Sequence, residues 1–400
     1  MIEVGRMALM GGSDMDSIEK DTLFLESVLG QPLPEIDEIY FEGSKIWEKT
    51  DNRPLITPYF LSKLYTVEEM KMVLCLPGSP LEVAEKLGLD EAYVEEKLKR
   101  LFEYGRILPG KSYHKETNDR YAPNLSPVTL RDHIGMAYNK KKLDWNEERE
   151  LFLLADEWCM KKDYSKEEKE GFPKTNRIIP KWGSIKNLPG VMPCENMKEI
   201  IYENYKNGTM AIMRCICRSY KNYKEYGKPH LEDGGGCASG LKENGTETGH
   251  CLWMGQRGIY MSGMFGYVPE TIEEVDKLFD EIEHATVVYQ DKNMPQVGML
   301  CSCCEDCCIV MNGLYKKGID VFSPSRFRPG VRKEKCIGCK TCEKHCIFHA
   351  ISYDDDGKCV IDEERCKGCG NCVMNCEAKA LKMKIVHDRD WIPNIEDYVK

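Results

Sequence analysis

The chain has 400 residues, too long for one compact core and suited to two or three domains. Acidic side chains number 66 against 56 basic ones, and the net charge of −10 is the reverse of the basic footprint that nucleic acid needs. No apolar run reaches the roughly 18 residues of a membrane span, and Glu3, Arg6 and Asp14 leave no room for the apolar core of a secretory signal, so a cytoplasmic protein is expected.

In chain order, a helix is expected from Asp16 to Leu29, ended by Gly30 and Pro32, within a mixed segment 1–65. The pattern then sharpens over 66–125. Thr66 and Glu69 form a capping box opening a short helix, Pro77-Gly78 breaks it, and a second helix runs from Pro80 to Leu87, stopped by Gly88. Asp90 caps a third helix that ends at Tyr104 before Gly105. Leu81, Val83, Ala84 and Leu87 are expected to face inward on the second helix, and Ala92, Val94, Leu98, Leu101 and Phe102 on the third. Arg106 to Leu108 starts a strand, and Lys111 to Arg120 reads as a wing returning at Tyr121, so this segment resembles a winged-helix domain. Its third helix carries Asp90, Glu91, Glu95, Glu96 and Glu103 against Lys97, Lys99 and Arg100, a balance that repels phosphate, so no nucleic-acid partner is expected.

A helical connector spans 126–175, strongest from Asn146 to Lys162, and leads into a cysteine-rich α/β segment over 176–325. There the reading gives a strand at Asn176–Pro180, a helix at Glu195–Tyr205 and a strand at Thr209–Met213 that delivers Cys215 and Cys217. It continues with a helix at Pro269–His284, strands at Thr286–Tyr289 and Val297–Leu300, and a helix from Glu305 to Lys317. Residues 326–385 contain a thirty-residue repeat, with Asp354 to Gly357 as the turn of a hairpin between its halves, and 386–400 form a C-terminal tail. The expected fold class is α+β and multidomain.

Cysteine decides the chemistry. Of 21 cysteines, Cys75, Cys159 and Cys194 stand alone and the rest fall between Cys215 and Cys376, a density that in a reduced compartment indicates metal ligation and an anaerobic host. Cys336, Cys339, Cys342 and Cys346 follow the spacing C-x2-C-x2-C-x3-C, and Cys366, Cys369, Cys372 and Cys376 repeat it. The central group comprises Cys215, Cys217, Cys237, Cys251, Cys301, Cys303, Cys304, Cys307 and Cys308. Its nine thiols suffice for two four-cysteine clusters with one left over, or for one cluster and a dithiol or unusual centre; zinc is the other metal they would take. On a helix, Cys304 and Cys308 would share a face, as would Cys303 and Cys307. Arg214 and Arg218 flank the first pair and could offset thiolate charge. The loop Gly234-Gly235-Gly236 lacks the residues of a phosphate-binding loop and is expected to turn tightly beside a metal. His250, His284, His345 and His349 read as hydrogen-bonding residues rather than ligands.

The repeated spacing resembles that of bacterial two-cluster ferredoxins. That resemblance implies two [4Fe–4S] clusters with crossed ligands, Cys336, Cys339, Cys342 and Cys376 on one and Cys366, Cys369, Cys372 and Cys346 on the other. The family usually has proline after the fourth cysteine, where this chain has Ile347 and Glu377. Over nearly its full length the chain also resembles 4Fe–4S binding proteins of anaerobes. These have a winged-helix-like N-terminal part, a C-x-C-R segment, a cysteine-dense run and a C-terminal two-cluster ferredoxin domain. The expectation is an electron-transfer protein or subunit carrying those two clusters and one or two more in the central segment, and serving a partner oxidoreductase or flavoprotein. A reductase with its catalytic centre at the central cysteines, and a redox-sensing winged-helix regulator, are the alternatives.

Overall fold

The computed structural model describes residues 17–47, 55–110, 118–160, 166–231 and 250–393, and the chain divides into two compact units. The first comprises 1–163 with Tyr223–Pro229; the second comprises 164–222 and 230–400.

The first unit is helical. After helices Ser17–Leu29, Glu38–Ser44 and Ile56–Leu64, helix Val67–Leu74 opens on the Thr66–Glu69 capping box, helix Pro80–Leu87 on a second box between Ser79 and Glu82, and helix Glu91–Glu103 on Asp90. Strands β1 (Ile107–Pro109) and β2 (Tyr121–Pro123) pair antiparallel. Val83, Ala84, Val94, Leu98, Leu101 and Phe102 are buried as expected, but Leu81 is 47% exposed and Ala92 is also at the surface. At about 100° per residue, Leu81 lies opposite Val83 and Ala92 opposite Val94, so each apolar stripe is one residue narrower than composition suggested. Helices Pro127–Lys141 and Arg149–Met160 complete the unit, with Trp145 stacked on Phe152 at 4.0 Å and Arg131 paired to Asp156 at 2.7 Å in the interior.

The second unit is built on a mixed sheet in the order β4-β5-β7-β6-β3-β8. Its strands are β3 (Asn176–Ile179), β4 (Met210–Met213), β5 (Cys251–Met254), β6 (Val288–Lys292), β7 (Met299–Cys303) and β8 (Phe322–Ser323). Neighbours are antiparallel except β3 and β8. Helices Met197–Lys206 and Ile272–His284 cover one face through Met197, Ile201, Val275, Leu278 and Ile282. Strand β9 (Phe327–Val331) then pairs with β12 (Leu381–Ile385), and between them β10 (Ile351–Tyr353) and β11 (Cys359–Ile361) form the expected hairpin. A buried ion pair, Arg326 to Glu195 at 2.8 Å, ties the start of this C-terminal part to the turn before helix Met197–Lys206. Residues 386–393 pack back through Val386 N–H to the Arg326 carbonyl and Trp391 to the Pro324 carbonyl. Among the described residues no helix is long and apolar enough to cross a membrane.

One local expectation fails at a place that matters. Helix was expected from Glu305, but β7 continues through Cys303, which pairs with Val288, and helix Ile309–Lys317 starts only after Cys308. Sheet hydrogen bonds hold the backbone extended over Cys301–Cys303, so the four-residue sharing of faces expected there gives way to the two-residue period of a strand, which puts Cys301 and Cys303 on one face.

In the first unit, His133 is 4% exposed, and burial pushes its imidazole down from 6.5 to about 4. The unfolded chain takes up this proton near 6.5 while the folded one refuses it until about 4, so the stability the neutral ring contributes is complete above the higher value and lost as pH falls through the window. Denaturation followed by tryptophan fluorescence should show a loss of about 3 kcal/mol from this source across that window. His133→Gln should flatten the slope.

Candidate metal centres

The thirty-residue repeat is written into the backbone. Gly338 and Gly368, Lys340 and Gly370, and His349 and Lys379 are pairs thirty residues apart, and all six have left-handed φ. The Ala350 N–H donates to Cys346 Sγ at 3.3 Å, and the Ala380 N–H to Cys376 Sγ at the same distance. Each half therefore bends its cysteines around a common point and aims amides at the sulfurs.

Two cavities result. One, of about 340 Å³ counting its mouth, is lined by Cys346, Cys366, Cys369 and Cys372 with Phe348, Ile351 and Ile361. The other, of about 380 Å³, is lined by Cys336, Cys339, Cys342 and Cys376 with Val331, Tyr353 and Leu381. Each takes three cysteines from one repeat and the fourth from the other. Four sulfurs converging on an otherwise apolar pocket is a donor set suited to an iron–sulfur cluster.

The environments differ. Burial pushes the Cys366 and Cys372 thiols up and Cys369 to about 12, so thiolates there need the positive charge of a metal core. This inner cavity is clamped to the central sheet. The Lys181 N–H donates to the Cys369 carbonyl at 2.9 Å, and Ser325 Oγ donates to the Gly368 carbonyl at 2.8 Å. A Cβ on Gly368 would come within 1.9 Å of the Phe327 carbonyl oxygen, and one on Gly370 within 2.4 Å of Ser184 Oγ, so both glycines are dictated by closeness as well as by φ. Lys181 is itself buried, its ammonium over the Tyr289 ring at 4.2 Å, and burial lowers it to about 8. The outer cavity faces solvent: Cys339 is exposed and Ile337 is 72% exposed. The missing prolines follow this division, because Ile347 is buried among residues of the central sheet while Glu377 lies at the surface.

Cys359, outside both repeats of the spacing, also lines the outer cavity. Its thiol is buried 3.8 Å from Cys342 Sγ, and its N–H donates to Cys336 Sγ at 3.5 Å. Contact between the two lowers Cys342 and raises Cys359, so negative charge is favoured at Cys342 over Cys359. Strand alternation was the available signal: Cys359 points in and Val360 out.

The central cysteines separate into two sets. The Cys251 thiol is hydrogen-bonded to Cys215 and Cys301, Cys301 to Cys303, Cys303 to Cys308, and Cys308 to Cys217. Cys215 and Cys217 sit two residues apart where β4 hands over to helix Ile216–Tyr226, so the five contacts run as an incomplete ring of six sulfurs whose two ends are sequence neighbours, at one end of β4, β5 and β7. Gln290, 2% exposed on β6, donates from Nε2 to Cys303 Sγ at 3.0 Å and reaches Cys308 Sγ at 3.6 Å; Asn176 donates to its Oε1 at 3.0 Å and fixes the amide's orientation. The Arg218 guanidinium is buried and helps hold Cys251 down, whereas Arg214 is half-buried. Apart from the ring, Cys304 and Cys307 meet at 3.1 Å with the Asp306 carboxylate beside them. Cys237 and the glycines at 234–236 lie outside the described residues. The four histidines are engaged in polar contacts: His250 with Glu281, His284 with Asp280, His345 with Thr286 and His349 with Glu305.

Hydrogen bonds to cluster thiolates raise the reduction potential, because they favour the form carrying more negative charge. Cys359→Val should therefore lower the midpoint of one ferredoxin-type centre alone by roughly 20–60 mV, the equivalent of one ordinary hydrogen bond. An EPR-monitored redox titration reads this directly, and unchanged midpoints would remove Cys359 from any role.

No curated protein and no solved structure matches the chain. The family model of the 4Fe-4S dicluster domain matches residues 335–380, a span that includes all eight of the repeated cysteines. The C-terminal part of this protein is a ferredoxin-type, iron–sulfur domain.

Proposed function

We propose that the protein carries single electrons through two [4Fe–4S] clusters, one on Cys336, Cys339, Cys342 and Cys376 and one on Cys346, Cys366, Cys369 and Cys372, and exchanges them with a partner oxidoreductase or flavoprotein. The observation that carries this reading is the pair of cavities, each lined by four of the repeated cysteines, drawn three and one from the two repeats. When bound, the clusters supply one-electron acceptance and release at a thiolate-ligated core. The chain's own contribution is to make the two positions unequal. Exposed Cys339 and Ile337 form the face a partner would meet, since electron exchange needs a centre near the surface. Burial dominates at Cys369 and disfavours added negative charge at the inner quartet, with the buried Lys181 ammonium opposing it in part. Glu91, Glu95 and Glu96 are exposed on helix Glu91–Glu103, which favours docking of a protein over binding of DNA by the winged-helix-like segment.

The test is made on the full chain, purified without oxygen. The ferredoxin-type domain should account for about eight iron atoms and as many sulfides. Cys376→Ala should remove the same EPR signal as Cys336→Ala, and Cys346→Ala the same signal as Cys366→Ala. Pairing by sequence neighbourhood instead would overturn the crossed assignment, and a chain free of iron and sulfide would overturn electron transfer altogether.

A further inference from the structure

We propose that the ring of Cys215, Cys217, Cys251, Cys301, Cys303 and Cys308 is a third iron–sulfur centre, the inner terminus of the electron path. Where it places this centre on the path, the proposal rests on the electron-transfer reading above; as a metal site it stands by itself.

Geometry carries the argument. Six sulfurs from three separate stretches of chain close on one another, and the sheet register is what brings them there: Cys251 pairs with Met213 at the end of β4, and Cys301 with Gln290. A core that needed only apolar filling would not collect six thiols in one continuous line of contacts. Gln290 gives an independent sign. Its amide N–H is aimed at two sulfurs by a hydrogen bond from Asn176, and a neutral thiol is a weak acceptor whereas a metal-bound thiolate is a good one.

The donor set selects the metal. All-sulfur ligation suits iron–sulfur clusters, zinc or monovalent copper. A zinc tetrahedron and a [4Fe–4S] core each take four thiolates, so the count of six favours neither. The connection to the ferredoxin-type domain decides for iron. Cys303 and Cys308 pack in one apolar cluster with Ile347 and Phe348, the residues following Cys346, with Cys369 against its edge. Side chains beside the inner quartet thus touch side chains of the ring. Occupied, the ring would exchange one electron at a time with the inner quartet, one centre oxidised as the other is reduced, with no bond to a substrate made and no proton moved.

The experiment is iron and sulfide analysis with EPR on the full chain and on Cys251→Ser/Cys303→Ser. The unaltered chain should carry about twelve iron atoms, and the double variant about eight, with one EPR signal lost and the two ferredoxin-type signals kept. Gln290→Leu, which leaves every thiol in place, should shift the g-values of that third signal alone; this keeps the proposal testable if the double variant fails to fold. About eight iron atoms in the unaltered chain, or zinc in place of the extra iron, would overturn the third centre and leave the electron-carrier reading intact. A third signal surviving in a Cys346→Ala/Cys376→Ala chain stripped of the other two would support the ring as a site and remove the ferredoxin-type pair from it.

Discussion

The organisation of the C-terminal half depends on one contact, the seating of the Cys366–Cys372 loop on the central sheet. Backbone does most of it: the Lys181 amide holds the Cys369 carbonyl, the Ser325 hydroxyl holds that of Gly368, and the Ser325 amide holds that of Lys367. These bonds join groups that the loop, bent around its sulfurs, cannot satisfy within itself, and buried peptide groups left unpaired would each cost about 1–3 kcal/mol. Lys367 adds an ion pair to Asp320 at 2.7 Å. Because the inner loop is fixed this way, the cavity it helps form is buried, and the other cavity is turned outward.

The two repeats therefore share a backbone and differ in surroundings. Asymmetry of this kind gives an electron carrier a direction. Desolvation, a nearby ammonium and hydrogen bonds to sulfur act on potentials with different signs and strengths. The inner quartet has burial and Lys181, whereas the outer one has the Cys359 thiol and access to water.

Much of this was legible in the sequence, for reasons that vary with range. The ferredoxin-type segment is readable because its ligands lie two and three residues apart and its turn is a run of aspartates and glycine. The capping box at Thr66 is equally local. The ring was not readable as a ring. Its cysteines come from three stretches, and only the pairing of β4, β5, β6 and β7 says which sulfurs meet. The dense run misled for the same reason, since Cys301 to Cys308 carries no mark of where strand ends and helix begins until β6 claims Cys303. Cys359 escaped because it obeys the alternation of a strand rather than the spacing of a ligand motif.

Lys340 and Gly370 occupy the same place in the two repeats and the same left-handed backbone, yet one is an exposed lysine and the other has no space for a methyl group. Equivalent positions are thus unequally free to vary. A side chain added at Gly370 meets Ser184, whereas exposed Lys340 already carries a long one, so the outer loop can change its surface while the inner loop keeps its form.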